Sequence, residues 1–155
     1  MRGLLPDFTV KNWCSDIRGR VAAHERYRDI TDWPRTEMAD IVYNDQSGVL
    51  TRLLIERGYL KSSRWEDRLP KYYMEVKTTT GAMNTEFFCS KYQYKRMEQM
   101  QVDETGVSNE IYLIARVFFL GDTGMGLRLY VDPATLRKDG RLKFKADKYS
   151  VTPVE

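Results

Sequence analysis

The longest apolar stretch of the chain runs from Ile111 to Leu120 and is interrupted only by Arg116. A stretch of this length is too short to span a bilayer, but it is typical of a strand buried inside a sheet. Helix and strand patterns alternate around it. They predict a helix over Asn12–Ile30, strands over Ala39–Tyr43 and Tyr72–Thr78, a helix from Ser90 to about Gln101, and a strand over Leu127–Val131. This order predicts a mixed α/β domain.

The segments between these elements are less regular. Asp132 and Pro133 predict the cap and first position of a further helical turn. The other expected features are an end to the first helix at Asp32–Pro34, a turn at Asn44–Gly48, a strand running into a helical turn over Val49–Tyr59, a polar loop around Trp65 over Lys61–Pro70, a short strand at Phe87–Cys89 and a polar edge strand over Arg141–Val151.

The composition excludes several kinds of site. The 155 residues suit one domain, and two cysteines are too few for a disulfide scaffold, which favours an intracellular compartment. We expect neither a signal peptide nor a membrane span. A formal net charge of +3 permits nucleic-acid binding without requiring it. The single histidine, His24, excludes zinc sites with two or more histidine ligands. Carboxylates, lysine and a hard metal are therefore the favoured catalytic groups.

The strand Tyr72–Thr78 carries the candidate chemistry. Because side chains alternate along a strand, Met74 and Val76 face the core, while Tyr73, Glu75 and Lys77 share the other face. Glu75 could bind a divalent cation, and Lys77 could orient a water or stabilise charge on a phosphate. A hard cation needs a second carboxylate, for which Asp40 is the best candidate, and Glu25 is a candidate third acid. The alternative is a half-exposed strand with a cross-strand ion pair.

Residues 72–94, YYMEVKTTTGAMNTEFFCSKYQY, resemble the C-terminal domain family named after the plant protein NO VEIN, and Arg116-Val117-Phe118 matches a later strand of that family. The resemblance covers roughly residues 39–131 and is greatest to fungal members. The family belongs to the PD-(D/E)XK nuclease-like superfamily. The resemblance therefore implies a restriction-endonuclease-like α/β fold, with a central mixed β-sheet flanked by helices, in a single domain over residues 1–155. Residues 44–71 would be an insertion between core strands.

The resemblance also implies a site. Glu75 and Lys77 match the acid and lysine of the motif, and Asp40 matches its first acid, although Glu66 and Asp67 lie nearer in sequence. Asp40 and Glu75 would bind Mg²⁺ or Mn²⁺, and Lys77 would position the attacking water. The candidate substrate contacts are Thr79, Ser90, Lys91 and Gln93. For Ser90, Lys91 and Gln93, simple helix capping with a solvated face is the alternative.

The implied function is metal-dependent hydrolysis of nucleic acid, with DNA favoured over RNA, by a nuclear or cytoplasmic protein that is a candidate homodimer. A second interpretation is an inactive nuclease-fold module that binds nucleic acid or protein within a larger assembly. A third is a protein-interaction domain whose strand acids, including Glu75, are ion-paired.

Overall fold

A four-stranded mixed sheet organises the chain. A computed structural model describes residues 5–31, 38–102 and 108–145. The strands are β1 (Ile41–Asn44), β2 (Lys71–Thr78), β3 (Glu110–Phe118) and β4 (Gly126–Val131), and the helices are α1 (Val49–Glu56), α2 (Ser62–Trp65), α3 (Lys91–Gln99) and α4 (Pro133–Lys138). The strand order is β1-β2-β3-β4, with β2 and β3 parallel and the outer pairs antiparallel. The α/β class expected from the sequence is confirmed.

Both faces of the sheet are covered, as the apolar β3 predicts. On one face, side chains from β2 and β3 pack with Leu50 and Leu54 of α1 and with Trp65 of α2. On the other face, Tyr73, Tyr112 and Ile114 pack with Met97 of α3. The expected alternation is also confirmed: Met74 and Val76 belong to the first cluster, on the face opposite Tyr73.

The segment between β1 and β2, expected as an insertion, contributes to the first core cluster through both of its helices. A helix occupies Val49–Glu56, where the sequence indicated a strand running into a helical turn. Asp45 is 0% exposed, and its carboxylate accepts hydrogen bonds from the backbone of Leu50 (3.3 Å) and Thr51 (2.7 Å). The Thr51 hydroxyl also donates to Asp45 at 2.8 Å and lies 2.8 Å from the Tyr72 hydroxyl. These bonds join the start of α1 to β2.

The prediction of one helix over Asn12–Ile30 was wrong. The segment contains three short 3₁₀ helices, Val10–Asn12, Asp16–Ala23 and Glu25–Tyr27. Between the first two, Trp13 is extended and forms a β-bridge with Ile41, and the Cys14 N–H donates to the Asp40 carbonyl at 2.8 Å. This attachment to the edge of β1 interrupts the helical path. The helix end expected at Asp32–Pro34 lies outside the described residues.

Two further strand predictions differ from the structure. Phe87–Cys89 is not a strand, and the Phe87 ring packs against that of Tyr130 with 6.4 Å between the ring centroids. Residues 141–145 form no strand, and the rest of the expected edge strand lies outside the described residues. The α3 and α4 predictions are confirmed, with Ser90 and Asp132 as N-caps. Within the described ranges, no helix has the length and apolar character needed to cross a membrane.

Asp45→Ala should destabilise the fold, because it removes the acceptor of buried N–H groups at the start of α1. We expect the free energy of unfolding to fall by roughly 2–4 kcal/mol. Urea denaturation measures this as a lower midpoint with an unchanged slope. Asp45→Asn keeps one acceptor oxygen, so its free energy of unfolding should fall by less than that of Asp45→Ala. A free energy of unfolding for Asp45→Ala that equals the wild-type value would contradict the stabilising role of these hydrogen bonds.

Candidate active site

Strand register brings the two candidate metal ligands together. Ile41 pairs with Met74 in the antiparallel β1–β2 ladder, so continuing the register by one residue places Asp40 opposite Glu75. Residues opposite each other in a ladder lie on the same face of the sheet. Where the ladder ends, the Asp40 carboxylate accepts a hydrogen bond from the Val76 N–H at 2.8 Å. This bond holds Asp40 against β2, beside Glu75.

Glu75 is a buried carboxylate with three polar neighbours. It is 3% exposed, and one of its oxygens lies 3.0 Å from Lys77 Nζ. The Tyr112 hydroxyl donates to its other oxygen at 3.3 Å, and the Gln93 side-chain amide donates to the oxygen that faces Lys77. Burial raises the pKa of Glu75 above its ordinary value, and the charge of Asp40 raises it further, while Lys77 and Tyr112 oppose the rise.

Gln93 connects α3 to this cluster. Its side-chain oxygen accepts hydrogen bonds from Lys77 Nζ at 3.1 Å and from the Ser90 backbone N–H at 2.8 Å. The Ser90 hydroxyl in turn accepts from the Gln93 N–H at 3.1 Å, which completes a capping box at the start of α3. The first turn of α3 is therefore fastened to Glu75 and Lys77. Ser90 has the capping role that the sequence left open.

The other candidate residues occupy separate positions. The Thr79 hydroxyl accepts from the Gly81 N–H at 3.1 Å and belongs to the turn after β2. Lys91 is exposed at the first position of α3. Glu25 is exposed at the start of the third 3₁₀ helix, and among the described residues no hydrogen bond or ion pair joins it to Asp40 or Glu75. The alternative acids are exposed as well: Glu66 accepts from the Ser62 hydroxyl, and Asp67 lies next to it.

Two groups at the site were not identified from the sequence. Tyr112 lies on β3, and burial followed by the charge of Glu75 raises the pKa of its hydroxyl. Burial also raises the pKa of the Cys89 thiol. The charge of Lys77 opposes this rise, and the charge of Glu75 adds to it. For Tyr112 a signal existed, since it carries a polar group in an otherwise apolar run. Its partner, however, depended on the register between β2 and β3.

The donor set suits a hard divalent cation. Asp40 and Glu75 offer carboxylate oxygens, and Lys77 leaves the group of three with a net negative charge. Mg²⁺ is typically bound by one or two carboxylates, with waters completing its coordination. Within the described residues, no group of three or more histidine, cysteine, aspartate or glutamate side chains could hold a metal ion. Water or substrate oxygens would therefore supply most of the ligands.

Comparison with known proteins identifies no relative. No family model matches the chain, and neither a curated protein nor a solved structure matches it.

The raised pKa of Glu75 leads to an expected pH dependence of stability in metal-free buffer. Folded Glu75 holds its proton to higher pH than the unfolded residue, whose ordinary pKa is 4.5. Its contribution to the free energy of unfolding therefore falls as pH rises from about 4.5 through the folded pKa. Relative to the wild type, Glu75→Gln should gain stability over that interval in urea unfolding. Glu56→Gln, an exposed carboxylate variant, is the control, and parallel curves for wild type and Glu75→Gln would contradict the expectation.

Proposed function

We propose that the chain is a metal-dependent phosphodiesterase that hydrolyses nucleic acid, DNA in preference to RNA, on a restriction-endonuclease-like fold. Asp40 and Glu75 would hold Mg²⁺ or Mn²⁺, and Lys77 would orient the attacking water. The observation that carries this proposal is the β1–β2 register, which sets Asp40 opposite Glu75. An acid-x-lysine pair on one strand is a weak signal, whereas shared cation binding requires a second acid close to it, and Asp40 lies next to β2 immediately before β1.

Lys77 is suited to act on a water or a phosphate. Its ammonium group lies 3.0 Å from Glu75 and keeps a side-chain exposure of 17%, so it is fixed in place and still reaches solvent. A positioned ammonium can donate to an attacking water and stabilise negative charge that develops on phosphate oxygens. A bound divalent cation would supply Lewis-acid activation of the phosphate and lower the pKa of a bound water. Gln93 acts as a positioning residue, since it holds both Glu75 and Lys77.

The electrostatics of the cluster favour cation binding. Two facing carboxylates repel each other, which contributes to the raised pKa of Glu75. A divalent cation between them replaces this repulsion with attraction. Metal binding should therefore release a proton wherever Glu75 is still protonated.

A second candidate function is an inactive module that keeps the fold and binds nucleic acid or protein without turnover. One observation favours it: Glu75 already has partners in Lys77, Gln93 and Tyr112. Fully satisfied buried networks often stabilise a fold without performing chemistry. The two functions differ in whether Asp40 and Glu75 take up a cation.

Substitutions at the cluster test hydrolysis directly. The assay incubates purified protein with single- and double-stranded DNA and RNA in Mg²⁺ or Mn²⁺. We expect cleavage by the wild type and a loss of about 10²–10³-fold in Lys77→Ala, because an electrostatic donor is removed. Asp40→Asn and Glu75→Gln should lose at least as much. Both should also bind Mn²⁺ more weakly than the wild type in calorimetry.

Two exposed residues provide matched controls. Asp67→Asn removes a carboxylate that lies nearer to Glu75 in sequence than Asp40 does, and Lys61→Ala removes an exposed lysine at the start of α2. Both should cleave like the wild type. Cleavage that survives in Glu75→Gln and Lys77→Ala would place the activity elsewhere. Absent cleavage by a wild type that binds nucleic acid would favour the inactive module.

A further inference from the structure

Arg116 is a buried cation whose hydrogen-bonding capacity is largely unused. It lies within β3 and is 1% exposed. One guanidinium nitrogen donates to the Thr85 carbonyl at 3.0 Å, and the guanidinium lies 5.0 Å from the centre of the Phe87 ring. Its Nε and Nη1 atoms are buried, and among the described residues no acceptor forms a hydrogen bond with either of them. A buried charge that lacks a counter-ion and leaves two of its donor atoms without acceptors is unfavourable.

Arg116 occupies the middle of a row of three cations. The register pairs Lys77 of β2 with Arg116 of β3, and Arg116 with Arg128 of β4. Paired residues share a face of the sheet, and adjacent strands lie about 4.8 Å apart, so the row spans about 10 Å. Like charges placed directly opposite each other destabilise a sheet.

The described residues supply little compensation for this charge. Lys77 is paired with Glu75 at 3.0 Å. The other ion pairs within residues 5–31, 38–102 and 108–145 join Arg137 to Glu98 and Lys145 to Glu86. Within those ranges, no acid is paired with Arg116 or Arg128. An anion from outside the chain would therefore balance the row.

We propose that Lys77, Arg116 and Arg128 form a binding row for phosphate groups of a nucleic-acid strand. A phosphodiester fits because its several oxygens can accept from more than one N–H donor at once, and charge-assisted bonds of this kind are strong. The row deepens the proposed function and rests on it for the identity of its ligand. It begins beside Glu75 at Lys77, so a strand bound along it would pass the proposed hydrolytic centre.

Access differs between the end of the row at Arg128 and its middle at Arg116. Arg128 is exposed. Arg116 lies beneath the loop from Ala82 to Phe88, which is held to it by the Thr85 hydrogen bond and the Phe87 ring. Phosphate oxygens would bind the unused Nε and Nη1 groups once the loop gives up its Thr85 and Phe87 contacts with the guanidinium. Binding requires an outward shift of this loop.

The test is binding of a short fluorescein-labelled oligothymidylate, followed by anisotropy in EDTA over a range of salt concentrations. The plot of log K against log[salt] has a negative slope, and each lost phosphate contact reduces the magnitude of that slope by about 0.7 for a single strand. Arg128→Gln and Arg116→Met should each show this decrease and bind about tenfold more weakly at low salt. Arg57→Gln, which removes an exposed charge at the end of α1, should keep the wild-type slope.

The readout separates this proposal from the proposed hydrolysis. Arg128 is exposed, so Arg128→Gln tests the row even if Arg116→Met does not fold. If Arg128→Gln keeps the wild-type slope and affinity, the row does not bind phosphate groups, even if the protein cleaves nucleic acid. The expected slope changes in a protein that cleaves nothing would support the row and reject hydrolysis. Inorganic phosphate should also raise the melting temperature of the wild type and not of Arg116→Met, whereas an equal rise in both would contradict the role of Arg116.

Discussion

The pairing of β2 with both of its neighbours is the constraint on which the rest of the structure depends. Antiparallel pairing with β1 places Asp40 opposite Glu75, and parallel pairing with β3 places Arg116 beside Lys77. The same ladders turn alternate β2 side chains toward two different cores. A shift of one residue in either ladder would exchange the two faces and bury Glu75 and Lys77 in the wrong cluster.

Burial makes Glu75 depend on its polar neighbours and strengthens its interactions with nearby charges. A carboxylate with 3% exposure requires partners, and Lys77, Gln93 and Tyr112 provide them. The same burial raises the pKa of Glu75 and strengthens its interaction with any cation that enters. The network therefore fits both a structural ion pair and a pre-organised metal site, and the difference between them lies in the response to divalent cations.

Much of the fold could be predicted from the sequence where the local pattern agreed with the tertiary environment. The strand at Tyr72–Thr78, the helix capped by Ser90 and the buried β3 were such cases. The prediction of an N-terminal helix was wrong because Trp13 is held extended by its bridge with Ile41, a residue far along the chain. Phe87 was expected in a short strand, but it lies in a loop and its ring packs against Tyr130.

The sequence by itself determined that Glu75 and Lys77 share a face, because side-chain alternation is a local property of any strand. Only the tertiary structure decided their neighbours. Gln93 lies 18 residues from Glu75, and Tyr112 lies 37 residues from it. Asp40 and Arg116 reach their positions through strand register. Contacts between residues that are far apart in sequence depend on how whole elements pair and pack. The local sequence around each residue carries no signal for such contacts.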